Sequence, residues 1–122
     1  MAKILVIDDQ ESMRTITAQM LKDAGHEVTT AADGAEGLKL FEDAPASYKL
    51  IVADVNMPKM DGFELLKTVK AKHPELPVVL VTGTNEEIAD YVGKEYKAEA
   101  VLKKPYILDE ALKTIESILK QT

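Results

Sequence analysis

The stretch Lys3-Ile4-Leu5-Val6-Ile7-Asp8-Asp9 decides the fold, because an unbroken apolar run ends there in a pair of acids. Such a run marks a strand buried on both faces rather than a half-exposed one. Reading outward, Leu50-Ile51-Val52-Ala53 ends in Asp54, and Pro77-Val78-Val79-Leu80-Val81 ends in Thr82. A fourth, shorter stretch ends in Lys104-Pro105. If these runs are neighbouring parallel strands, three carboxylates, a hydroxyl and one ammonium meet at one sheet edge.

The segments between the runs read as helices. Strand β1 is expected from Lys3 to Asp8, then a helix α1 capped by Ser12 and running to about Ala24. Its apolar face would be Met13, Ile16, Met20 and Leu21, with Gly25 as the glycine past its end. Strand β2 covers Glu27 to Ala31, and α2 covers Gly34 to Asp43 with Leu38 and Phe41 inward. Pro45 to Tyr48 reads as a loop and Leu50 to Asp54 as β3. Asp61-Gly62 opens α3, whose inner face is Phe63, Leu66 and Val69, and Pro74 and Pro77 bracket its exit. Val78 to Val81 is β4, Glu86 to about Tyr96 is α4, and Ala100 to Lys103 is β5. Leu108, Ala111, Leu112, Ile115, Ile118 and Leu119 give α5 a 3-4 apolar stripe. Five β-then-α units with short loops predict a parallel sheet covered by helices on both faces. In such a fold the site lies at the carboxyl ends of the strands, where Asp9, Asp54, Thr82 and Lys104 all fall.

Composition narrows the function classes. At 122 residues, with no linker or repeat, the chain is expected to be one domain, residues 1–122. A net charge of -6 and the lack of a basic cluster argue against direct nucleic-acid binding. No cysteine means no disulfide, thiol nucleophile or thiolate metal site. The apolar runs are far short of the ~20 residues of a membrane span. The first strand begins almost at Met1, leaving no room for a cleavable signal. The chain is expected to be soluble and cytoplasmic, without membrane insertion.

An acid pair at a strand end is commonly a cap or a solvated turn. Three carboxylates at adjacent strand ends are a different matter. Two such charges ~4 Å apart repel by roughly 4 kcal/mol at an effective dielectric near 20. One ammonium, Lys104, cannot offset three acids, whereas a hard divalent cation can, and oxygen ligands suit Mg²⁺. A carboxylate beside Mg²⁺ and an ammonium can also attack phosphorus, so Asp54 is the candidate nucleophile of an aspartyl phosphate. The charge on the transferred oxygens calls for a metal, a cation and a hydroxyl donor. Asp9 with the metal, Lys104 and Thr82 supply that set. His26 and His73 sit beside Gly25 and Pro74 and read as solvated loop residues. Tyr91, Tyr96 and Tyr106 read either as a partner-facing patch near α4 and α5 or as scattered surface tyrosines.

With these residues in place the chain resembles, end to end, the receiver domain of two-component response regulators. The resemblance rests on Asp8-Asp9, on Asp54-Val55-Asn56-Met57-Pro58-Lys59-Met60-Asp61-Gly62, on Thr82-Gly83 and on Lys104-Pro105. Ser12-Met13-Arg14 and Glu64-Leu65-Leu66-Lys67 look most similar to the single-domain chemotaxis regulator. It implies a flavodoxin-like (βα)5 sheet of order 2-1-3-4-5. It implies phosphorylation of Asp54 by a sensor histidine kinase. Mg²⁺ would be held by the Asp9 and Asp54 side chains and the Asn56 carbonyl, with Asp8 acting mainly through water. Thr82 would hydrogen-bond the phosphoryl group and Lys104 would pair with it. Asn56 and Thr84 would flank the attacking water that sets phosphoryl lifetime. The Lys104-Pro105 peptide would be cis. Two positions depart from the family pattern. Val101 stands where an aromatic switch residue is usual, and Tyr96-Lys97-Ala98 lacks the glycine often found after α4. Coupling is therefore expected through Thr82, Gly83-Thr84-Asn85 and α4, with output by docking on α4-β5-α5.

On this reading the protein is a switch rather than an enzyme with an outside substrate. Two alternatives stay within the family: a phosphorelay intermediate handing phosphate to a histidine phosphotransfer protein, or the excised receiver of a longer regulator. A phosphohydrolase of the haloacid dehalogenase type would need a general-acid Asp two residues past the nucleophile. Asn56 stands there, and the chain has no room for a cap domain.

Overall fold

A computed structural model describes residues 2–83, 86–104 and 107–121. The order of elements is β1 (Lys3–Ile7), α1 (Glu11–Asp23), β2 (Glu27–Ala31), α2 (Gly34–Asp43), β3 (Leu50–Asp54), α3 (Gly62–Lys72), β4 (Val78–Thr82), α4 (Glu86–Glu95), β5 (Ala100–Lys103) and α5 (Leu108–Lys120). All strand pairs are parallel and the sheet order is β2-β1-β3-β4-β5, as expected.

The period-2 alternation of the strands divides the core. Leu5, Ile7, Ile51, Ala53, Val78 and Leu80 point to the face covered by Phe41 of α2, Leu65, Leu66 and Val69 of α3, and Ala89 of α4. Ile4, Val6, Leu50, Val52, Val79 and Val81 point to the other face, against Leu21 of α1 and Ile115 and Ile118 of α5. Both faces are dry, which is why the central strands read as continuous apolar runs.

Several local expectations are corrected. Ser12 does not cap α1. The helix starts at Glu11 with Gln10 as its N-cap, because the Asp8 carboxylate takes the Gln10 N–H at 2.9 Å and the Gln10 carbonyl takes the Arg14 N–H at 2.9 Å. Within α1, Ile16 is 44% exposed, and Thr17 and Ala18 are buried beside Leu21. In α3 Leu65 is fully buried whereas Phe63 packs at the core margin. Pro45–Ser47 is a turn of 3-10 helix, and Tyr48 after it is buried. Asp33 and Asp61 cap α2 and α3 through the Glu36 and Glu64 amides.

Helix ends are closed as their sequences allow. Gly25, at φ +95°, ends α1, with the His26 N–H reaching the Leu21 carbonyl at 3.1 Å. Helix α4 ends in the same motif, with Ala98 N–H donating to the Gly93 carbonyl at 2.8 Å. There Lys97 takes the left-handed position at φ +63° without glycine's freedom. Side-chain crowding makes that conformation costly, by roughly 1–2 kcal/mol for an L-residue.

Candidate functional site

The parallel register brings the strand ends level. Asp54 closes β3 opposite Val81, Thr82 closes β4 opposite Lys103, and Asp8 and Asp9 follow β1. Asp8, Asp54 and Thr82 are buried at 5%, 4% and 0% exposure, whereas Asp9 is exposed. One carboxylate oxygen from each of Asp8, Asp9 and Asp54 lies within 4.8 Å of the others.

Lys104 is the cation among them. Its Nζ donates to Asp54 Oδ2 at 2.9 Å and to Gln10 Oε1 at 3.0 Å, and it stands 3.2 Å from Asp8 Oδ2. An ammonium has three N–H donors, and three acceptors surround it. The Lys104 backbone is fixed by its N–H to the Thr82 carbonyl at 2.7 Å, which ties the lysine to the end of β4. Arg14 reaches the Asp8 main-chain carbonyl at 2.8 Å, not its carboxylate. Gln10, placed between Asp8 and Lys104, is the site residue that sequence reasoning missed. Its only sequence signal is adjacency to the acid pair.

Electrostatics follow from this geometry. Burial raises the Asp54 pKa above its ordinary value, and the Asp8 charge adds to that, against the opposing pull of Lys104. Burial alone would lower Lys104, but its bonds and charges from Asp54 and Asp8 prevail and hold it above the usual lysine value. Three carboxylates and one ammonium leave two negative charges in a half-enclosed space. That surplus of oxygen donors fits a hard divalent cation, with Asp9 on the solvent side as its entry. The Asn56 N–H donates to Asp54 Oδ1 at 3.2 Å, which fixes the start of the loop that follows β3.

Other candidates fall elsewhere. Val101 is half-buried against the core beneath α4. Tyr91 and Tyr96 are exposed, with Lys67 Nζ 4.9 Å from the Tyr96 ring centroid. Thr84, Asn85, Pro105 and Tyr106 lie outside the described residues. The expectation that both histidines are solvated is corrected. The His26 side chain is only 8% exposed: Nδ1 accepts from the Ala2 N–H at 3.2 Å, and Nε2 lies 3.7 Å from Glu116 Oε2. His73 is partly covered, with its ring edge-on to Phe41 at 5.1 Å.

Fold and site together define a class: a doubly wound regulator domain with an acidic, lysine-bridged carboxyl edge. The family model of the response regulator receiver domain matches residues 4–116, and the chain belongs to that family of two-component signalling proteins. The Bacillus subtilis alkaline phosphatase synthesis transcriptional regulatory protein PhoP is 36% identical over 98% of this chain and 49% of its own. The chain thus spans about half the length of that relative. A response regulator receiver domain protein from Clostridium thermocellum superposes with a TM-score of 0.93 at 29% identity, covering 99% of this chain and 96% of that one. The chemotaxis response regulator CheY4 of Vibrio cholerae does so with a TM-score of 0.88 at 38% identity, covering 97% and 98%.

Proposed function

We propose that this protein is a phosphorylation-dependent switch that accepts a phosphoryl group from a sensor histidine kinase on Asp54, with Mg²⁺. The observation that supports this best is the hold of Lys104 on the buried Asp54 and Asp8, beside a third, exposed carboxylate. Asp9 and Asp54 would hold the metal by their carboxylates, Asp8 mainly through water, and Asn56 by its carbonyl. Bound Mg²⁺ would neutralise charge on the phosphoryl oxygens.

The chain's own residues do the rest. An Asp54 carboxylate oxygen attacks phosphorus, a P–O bond forms, and the P–N bond to the donor histidine breaks as the imidazole leaves with a proton. Lys104 already carries three hydrogen-bonding partners at the site and can pass one donor to a phosphoryl oxygen. The Thr82 hydroxyl, at the end of the adjacent strand, binds another. Burial of Asp54 limits water around the acyl phosphate, and side chains at Asn56 and Thr84 tune how fast it hydrolyses.

Output is read by a partner on α4-β5-α5. Ile88 and Tyr91 on α4, Tyr96 just after it, and Ile107 and Leu108 at the start of α5 are all exposed there. Val101 is stiff at χ1 and cannot signal by a ring swing, so Thr82 acts through the α4 segment. A bias of a few kcal/mol suffices to change the population of such an element strongly. Among the described residues no helix is long and apolar enough to cross a membrane. Phosphotransfer from a sensor histidine kinase would take place in the cytoplasm. Timed incubation with a labelled histidine kinase tests this reading. Label should move to Asp54 and stay until hydrolysis. Return of label to a histidine phosphotransfer protein would make the chain a relay intermediate instead.

A further inference from the structure

The loop after β3 carries Asn56, and its two ends are fixed. Val55 N–H donates to the Val81 carbonyl at 2.8 Å, and Gly62 N–H donates to the Val55 carbonyl at 3.0 Å. Between them Lys59 sits at φ +70°, a left-handed conformation that an L-residue adopts only when its surroundings impose it. A local bond holds it there, from the Met60 N–H to the Pro58 carbonyl at 2.8 Å, and the N-terminus of α2 packs against this turn. A Cβ at Gly34 would overlap the Met60 carbonyl oxygen and come within 2.8 Å of the Met60 carbonyl carbon. Both atoms are backbone and cannot rotate aside. Next to Gly34, Asp33 caps α2 through the Glu36 amide at 2.8 Å and faces Lys59 Nζ at 3.6 Å. The Glu36 amide bond lowers the Asp33 pKa, with Lys59 assisting against partial burial.

Helix α2 cannot retreat from this contact. Gly37 lies against Ile7 of β1, and Phe41 is buried in the core, so the helix is locked to the sheet. A side chain at Gly34 therefore displaces the loop rather than the helix. With the loop held at Val55 and Gly62, the displacement falls on the segment from Asn56 to Met60.

We propose that Asp33 and Gly34 are positioning residues for the metal site: from outside it, they set the path of the loop that presents the Asn56 carbonyl. The inference rests on the reading of Asp8, Asp9, Asp54 and Asn56 as metal ligands. Neither residue touches metal or phosphoryl group. They act through Lys59 and Met60, as outer groups orient the ligands of a metal.

The test is Mg²⁺ titration of the unphosphorylated protein, followed by amide chemical shifts, with the metal-free melting temperature of each variant recorded alongside. Gly34→Ala should weaken Mg²⁺ affinity about tenfold, the scale of disturbing a group that orients a metal ligand. Asp33→Ala should weaken it about threefold by the same route and keeps the fold if Gly34→Ala does not. Gly25→Ala strains the positive φ of +95° at the amino end of the sheet without touching α2 or the loop, and its affinity should match wild type even where its melting temperature falls. A purely structural role for Gly34 predicts lower melting temperatures and unchanged affinity in all three, and that result would overturn the inference while leaving the metal site standing. Wild type that fails to bind Mg²⁺ would overturn the metal reading and the inference together.

Discussion

Two lysines at opposite ends of the sheet show how differently one fold treats charge. At the amino end, Lys70 Nζ donates to the Leu76 carbonyl at 2.7 Å and to both Glu99 oxygens at 3.0 Å, and Glu99 also takes the Val78 N–H at 2.8 Å. One ammonium meets one carboxylate and the remaining lone pairs are occupied by backbone groups. At the carboxyl end, Lys104 meets two buried carboxylates with a third beside them. The first arrangement is closed and staples α3 to the start of β5. The second is unbalanced, and on the proposed reading an incoming cation completes it. Strand direction explains why, since loops at the carboxyl ends carry the side chains that face a ligand in such sheets.

The largest expected effect falls on the unbalanced end. Asp9 is exposed, so Asp9→Ala should cost little stability yet weaken Mg²⁺ binding on the order of a hundredfold, about 2.7 kcal/mol. Lys104→Ala should leave affinity intact or raise it, because it removes a cation competing for the acids. Isothermal titration of both variants checks this. Equal losses would show that the lysine organises the site, and the contrast between the two ends would fade.

The next effects have opposite signs at the two ends. Glu99→Ala leaves a largely buried ammonium without its counter-charge and should lower metal-free stability by about 2 kcal/mol. Asp54→Asn keeps shape and relieves like-charge crowding, so it should raise metal-free stability by about 1 kcal/mol. Urea denaturation with chelator present measures both. A loss at Asp54→Asn would mean that Lys104 already balances its site.

The smallest effect is in pH. A carboxyl whose folded pKa is raised binds its proton more readily folded than unfolded. Metal-free stability should therefore gain from Asp54 as pH falls toward its ordinary value of 3.8, and the advantage of Asp54→Asn should shrink. For Lys104, also raised, the pairing contributes below the ordinary lysine value of 10.5 and is lost as pH climbs past it. Denaturation midpoints of wild type and Asp54→Asn across these ranges follow the difference.

What could be read from the sequence was whatever the sheet enforces. Runs buried on both faces announce β1, β3 and β4, and the acid or hydroxyl closing each run marks the site edge. Details decided by competition between nearby groups stayed hidden. Ser12 is a good cap by type, yet Asp8 captures the Gln10 amide first and starts the helix earlier. Phe63 outranks Leu65 in size, but the helix phase puts Leu65 under the sheet. His26 follows a glycine and reads as solvated, while the chain reversal at Gly25 folds it beneath Ala2. Gln10 gave no signal beyond its place after the acid pair, because its part depends on a lysine 94 positions away.

The most direct measurement is intact mass after incubation with acetyl phosphate. Wild type with Mg²⁺ should gain one phosphoryl group, lose it slowly on standing, and gain none with chelator. Asp54→Asn should gain none in either condition. Phosphoryl uptake by Asp54→Asn, or undiminished uptake by wild type without metal, would contradict the assignment of Asp54 and of its acidic surroundings.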